Sequence, residues 1–400
     1  MSDAAITRFT VHVPQPEVDD LRNRLGRGRW PTEIAGVGWH RGVPMDYLKR
    51  LAQYWADEFD WRGQEAWLNS IPQFTTEIDG QALHFVHLRS PETRARPLLL
   101  GHGWPGSFAE FMTVVGPLTD PASHGADHAD AFHVVVPSIP GFGFSAPLRE
   151  SGWDVPRIAD AYAELMTRLG YDHFAAHGSD WGALVARELG RRHPDRVAAV
   201  HVTWLPSAVA TAEPEPSEAA ALTDAQRERI RASMRRRAHA MAEEMGYGIL
   251  QSTRPQTLAY ALTDSPLGQL AWIVEKFKEW TGCDQRPDEV IDLDLLLTNV
   301  SVYWFTRTAG SSAGLYYETA HSDEGWGIAL KPSTVPTGLA VFPHDTTIPV
   351  RHLAERTDRI ARWTEFHRGG HFPAMEVPDL LVADLRDFLH EFGPPHHEDD

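Results

Sequence analysis

The stretch Phe174 to Ala183, FAAHGSDWGA, sets a carboxylate and a hydroxyl between two glycines at a spacing that can do chemistry. Phe174-Ala175-Ala176 reads as the end of a strand, Gly178-Ser179-Asp180-Trp181-Gly182 as a tight turn, and Ala183 to Leu189 as a helix. Small residues two positions either side of the centre let strand and helix come close, so the central side chain stands up from the sheet as a nucleophile. Only position 180 has glycine at both minus two and plus two, which makes Asp180 the centre and leaves Ser179 a neighbour. A carboxylate is ionised at neutral pH and attacks carbon directly to give an ester, whereas serine first needs a base. The plainer use of such an Asp is to N-cap the following helix, and the motif alone leaves both uses open.

An ester on Asp180 has to be hydrolysed, which calls for a base, an acid to orient it and an oxyanion hole. Pro97-Leu98-Leu99-Leu100 is a buried-strand run that opens into Gly101-His102-Gly103-Trp104-Pro105-Gly106-Ser107. In the α/β-hydrolase arrangement one backbone donor follows the nucleophile, here Trp181, and the other comes from an earlier loop of this kind, here Trp104. Further on, a strand over residues 338–342 ends close to Asp345. Another over 360–366 is followed by Arg368-Gly369-Gly370-His371-Phe372-Pro373. Asp180, Asp345 and His371 thus follow the order nucleophile, acid, His expected of that fold.

Each partner has a bland use as well. Asp345 could cap a turn, and one loop histidine among 21 is a weak signal. What lifts His371 is its place before a closing helix, residues 378–392, whose Leu381, Leu385, Phe388 and Phe392 form one apolar stripe. His344 competes by proximity only. His396-His397 sit in an acidic tail without metal-ligand spacing, and no HExxH or paired CxxC occurs, so neither metal nor cofactor is expected.

Those residues need a scaffold. Residues 1–95 read as an N-terminal extension packed on the core. It holds a helix around Val18, Leu21 and Leu25, a second around Tyr47 and Leu51, and a hairpin turning at Asp79-Gly80. Residues 96–210 form the first part of the core. Its strand Phe132 to Val136 and a helix over 156–169 lead to the elbow, and the alternation implies a mostly parallel sheet in an α/β fold. Pro137 to Ser145 lacks the third glycine of a dinucleotide fingerprint. A helical cap spans 211–335, opening on a linker over residues 211–219, and the core resumes over 336–400. A cap inserted there would exclude water and shape a pocket, although it could also be a structural appendage.

Composition narrows the classes. With 42% apolar and 23% charged residues the chain is an ordinary globular protein, and its formal net charge of −18 disfavours nucleic acid and anionic membranes. The lone Cys283 excludes an internal disulfide and points to the cytoplasm. No run reaches the roughly 18 apolar residues of a membrane span. The N-terminal extension could support a homodimer.

The leaving group decides between reactions. An epoxide leaves an alkoxide that needs a proton, which phenols in the cap could supply; a halide leaves as a stable anion and needs only halide-binding donors. Tyr247 and Tyr316 fall in or beside the cap, but spacing does not show that they meet, and a buried cap tyrosine is more often packing. A haloalkane or haloacid dehalogenase and a non-catalytic ligand binder stand as alternatives.

The chain resembles the microsomal-type epoxide hydrolases, the branch with juvenile hormone epoxide hydrolases and soluble bacterial and fungal relatives. The likeness runs through VDDLRNRL, YWADEFDWR, LNSIPQF, HGWPGSFAEF, GFGFS, HGSDWGA, LLTNVSVYWF and RGGHFPAMEVP. It implies Asp180 as nucleophile, His371 as base, Asp345 as charge-relay acid, and Tyr247 and Tyr316 as proton donors, with Tyr317 a rival to Tyr316. It also implies a small epoxide opened to a vicinal diol, substrate contacts from Trp104, Trp181, Tyr247 and Tyr316, no cofactor, and a cis bond at Trp104-Pro105. Trp, Phe and Leu through the cap suggest that the ligand is apolar, although they could equally be packing.

Overall fold

A computed structural model describes residues 5–326 and 331–394. Nine strands form one sheet: β1 (Thr7–Phe9), β2 (Gln73–Ile78), β3 (Gln81–Leu88), β4 (Arg96–Gly101), β5 (Phe132–Pro137), β6 (Phe174–Gly178), β7 (Val197–Val202), β8 (Ser333–Val341) and β9 (Asp358–Glu365). Their order is β1-β2-β3-β5-β4-β6-β7-β8-β9, antiparallel from β1 to β5 and parallel from β5 to β9. This is the α/β-hydrolase fold. Leu98, Leu99 and Leu100 of β4 and Val134, Val135 and Val136 of β5 are fully buried, as apolar runs covered on both faces must be.

The chain leaves β4 towards β5 on one side and returns with β6 on the other, so β4 and β6 flank a switch point. Gly101 and Gly178 pair at their carboxyl ends, which brings the loop after β4 beside the turn after β6. A Cβ on Gly182 would overlap the carbonyl oxygen of Gly101, so this close approach requires glycine.

Between β7 and β8 lie the cap helices Asp224–His239, Gly246–Thr253, Pro255–Asp264, Pro266–Glu279, Leu293–Thr306 and Ala309–His321. The linker read over 211–219 is partly helical: Pro216 opens a turn that runs to Ala221, which the alanines after Ser217 favour. The helix Trp61–Asn69 and strand β1 lay below what periodicity could detect.

The hairpin of the N-terminal extension does not form a layer apart from the catalytic sheet. β3 pairs with β5, because Phe85 and Val86 are apolar on both faces and need cover on each. The extension's helices reach the cap instead. Trp55 Nε1–H donates to Ser301 (2.9 Å) and the Tyr54 hydroxyl to Asp294 (2.9 Å).

Candidate active site

Asp180 opens the helix Asp180–Arg192 in the left-handed region, φ 50°, the strained geometry of an elbow. Its oxygens are not spent on capping. The Trp104 N–H donates to Oδ1 (2.8 Å), and Oδ2 faces His371 Nε2 (3.3 Å). His371 Nδ1 in turn meets Asp345 Oδ1 at 2.6 Å. The three residues therefore form one line, although 165 positions separate Asp180 from Asp345. Side-chain exposure is 2% for His371, 5% for Asp345 and 16% for Asp180, so Asp180 is the member most open to a ligand.

Electrostatics follow from that line. Burial works to strip the proton from His371, but the charges and hydrogen bonds of Asp345 and Asp180 outweigh it and raise its titration to about 10. Esterifying Asp180 would remove one of those charges. The imidazole would then lose part of its hold on a proton, which is what an imidazole needs in order to act as a base.

Loops on either side hold the carboxylate. The His102 ring accepts the Ile139 N–H at Nε2 (3.1 Å) and turns Nδ1 to the Gly103 carbonyl (3.1 Å), tying down the loop that carries Trp104. The Trp104-Pro105 peptide is cis. Asn299 donates to the Pro105 carbonyl (2.7 Å) and the Tyr303 hydroxyl to that of Gly106 (2.6 Å), so a cap helix fastens the same loop from above. The Trp181 N–H lies in the first helical turn, where no intrahelical acceptor exists. Ser179 turns away from the site and donates to the buried Glu110 (3.0 Å).

Above the carboxylate the cap contributes rings. Tyr247 stacks on Trp104 at 4.9 Å and 9°. Tyr316 stands edge-on to Trp104 (5.9 Å), Trp181 (4.7 Å) and Tyr247 (5.8 Å). Burial and the negative Asp180 push both phenols upward in titration, so both are neutral hydroxyl donors. Tyr317 points elsewhere, stacking on His321 at 4.0 Å. Two charge-assisted bonds from Arg236 to Glu244 (2.7 and 2.9 Å) brace the turn that leads to Tyr247.

Other readings fall differently. The backbone of His344 bonds Gly369 and its ring lies against Gly282, away from the triad line. His396 and His397 lie outside the described residues. Among the described residues, no group of three or more His, Cys, Asp or Glu is placed to hold a metal, and no helix is long and apolar enough to cross a membrane. A cleft of about 910 Å³ beside Phe9, Phe144 and Ser311 is lined by none of Asp180, His371, Asp345, Tyr247 and Tyr316.

Sequence reasoning missed Trp280, whose ring sits 5.1 Å from His371 and 5.4 Å from Tyr247. It also missed Lys276, with its ammonium 4.5 Å from the Tyr247 ring centre, and Glu110, whose carboxyl burial pushes up to about 8. Lys276 is one of four charges in the last turns of its helix, with Glu275, Lys278 and Glu279, so nothing in the sequence singled it out.

Comparison with known proteins gives this geometry a context. A family model described as "Epoxide hydrolase N terminus" matches residues 6–111, and one described as "alpha/beta hydrolase fold" matches residues 96–243. The chain is 34% identical to "Epoxide hydrolase 1" of Oryctolagus cuniculus, over 97% of this chain and 90% of that protein. Juvenile hormone epoxide hydrolase from the silkworm Bombyx mori superposes with a TM-score of 0.87 at 28% identity, covering 98% of this chain and 95% of that one. Aspergillus niger epoxide hydrolase does so at 0.83 and 31% identity, with 98% of each chain covered.

Proposed function

This chain belongs to the epoxide hydrolase family and hydrolyses the ether bond of an epoxide, and we propose that it does so in two steps through an ester on Asp180. Asp180 Oδ2 attacks one ring carbon as the carbon–oxygen bond on its far side breaks. Tyr247 and Tyr316 hydrogen-bond the departing oxygen, and a phenolic proton neutralises the alkoxide. Oδ1, already bonded to the Trp104 N–H, becomes the carbonyl oxygen of the ester.

Water then attacks the ester carbonyl carbon and gives its proton to His371 Nε2. Asp345 holds the ring and stabilises its positive charge. Negative charge gathers on Oδ1, where the Trp104 and Trp181 N–H groups receive it. Collapse expels the diol oxygen, which takes the proton from His371; the second proton of the water, left on the Asp180 carboxyl, passes to solvent, from which the phenolate recovers its own. The product is a vicinal diol, and no cofactor enters the balance.

One observation carries this reading. A single carboxylate has a backbone donor on one oxygen and a histidine at the other, beneath two neutral phenols. The phenols favour an alkoxide over a halide as leaving group. The rings of Trp104, Trp181 and Trp280 around them favour an apolar epoxide, and the unpaired thiol of Cys283 suits the reducing cytoplasm. A single turnover in heavy-oxygen water tests the ester. The diol is expected to carry an unlabelled oxygen from Asp180 while the protein takes up label; label in the diol at the first turnover rules the ester out.

A further inference from the structure

Glu376 is a carboxylate that the scheme above does not use, yet it touches the peptide next to the base. It ends the short helix Pro373–Glu376, and its oxygens reach in two directions. Oε1 accepts the Phe372 N–H (3.0 Å) within the catalytic loop, and Oε2 accepts the Gly282 N–H (3.0 Å) at the end of the cap helix Pro266–Glu279. A second link runs beside it, from the His371 N–H to the Trp280 carbonyl (2.7 Å).

The seam is tight on both sides. A Cβ on Gly370 would press on Trp280 and Thr281, and one on Gly282 would press on the His344 ring. Through Trp280, whose ring meets both His371 and Tyr247, the same seam connects the base to the roof of the site.

We propose that Glu376 is a positioning residue for ester hydrolysis, clasping the His371 loop to the end of the cap helix so that base and roof hold one geometry. A carboxylate suits the role because it has two acceptor oxygens and no donor. Glutamine would turn an amide N–H₂ towards one of the two backbone N–H groups, leaving that side of the clasp open. The contact most exposed to such a loss is His371 Nε2 to Asp180 Oδ2, at 3.3 Å the longest in the line. Alkylation relies on Asp180 and the phenols, whereas hydrolysis relies on His371, so the second step takes the larger loss.

The proposal rests on the two-step ester scheme, and rapid mixing separates the two. Ester formation is followed in the wild type first; its absence there would refute the scheme itself. In Glu376→Gln the burst of ester is expected to keep its rate while ester decay slows about tenfold. Steady-state kcat and KM then fall together and kcat/KM stays within about twofold, because that ratio reports only steps up to alkylation. A merely structural loss would lower kcat/KM instead. Ester decay at the wild-type rate, or a fall in kcat/KM as large as that in kcat, overturns the clasp. Should Glu376→Gln not fold, Glu376→Asp keeps the charge and shortens the reach, and is read the same way; failure of both to fold would make Glu376 structural and end the proposal.

Discussion

On the core side of the site, Asp180, His371 and Asp345 stand beyond strand ends and are joined through contacts of 3.3 and 2.6 Å. On the cap side, Tyr247 and Tyr316 come from separate helices and meet their neighbours through ring contacts of 4.7 to 5.9 Å. Hydrogen bonds weaken steeply with misalignment, so the floor functions as a unit and loses most of its effect when one member goes. Aromatic contacts tolerate sliding, and two hydroxyls share one task, so the roof should respond in graded fashion. Two anchorages link the two regions, the bonds of Asn299 and Tyr303 to the Trp104 loop and the seam around Trp280, Gly282 and Glu376.

The largest effects should come from the floor. Asp180→Ala is expected to abolish both ester and diol. His371→Gln should still form ester, trap it in stoichiometric amount by intact-protein mass spectrometry, and lower kcat by roughly 10³ to 10⁴. Rapid turnover by His371→Gln would show that the floor is not a unit.

The roof comes next. Tyr316→Phe should slow alkylation by about ten- to a hundredfold, within the range of one general acid, with ester decay nearly unchanged. Tyr247→Phe should behave alike, and the double variant should lose more than either. A single variant as inactive as the double one would erase the contrast between floor and roof.

The smallest effect is on stability. His371 titrates near 10 in the folded chain, above the roughly 6.5 of an unfolded histidine, so its charged contacts stabilise fully below pH 6.5 and are lost as pH rises through 10. The wild-type Tm should therefore fall across that window, and more steeply than that of His371→Gln. Parallel curves for the two proteins would contradict the charged His371.

The contrast also explains what could be read in advance. Asp180 announced itself through Gly178 and Gly182, and His371 through its place between a strand and the closing helix. Tyr247 and Tyr316 carried no such mark; they could be named as phenols in or beside the cap, and their role was implied by resemblance alone. Between Tyr316 and Tyr317 the deciding fact is rotation of about 100° per residue, which turns one towards Trp181 and the other onto His321. Glu376 was one acid among many, because its two partners are backbone N–H groups some 4 and 94 positions away. The hairpin at Asp79-Gly80 was legible as a turn, but not its docking against β5.

From the sequence alone came the strand–turn–helix at Asp180, the alternation that builds the sheet, the place of the cap, and the order of Asp180, Asp345 and His371. These follow from sterics and burial acting between near neighbours, which residue types encode directly. Only the tertiary structure decided that a cap phenol stacks on Trp104, that Ser179 turns to Glu110, and that the segment following His371 grips the cap at Gly282. Such contacts join segments tens to hundreds of positions apart, and their geometry depends on how whole helices pack.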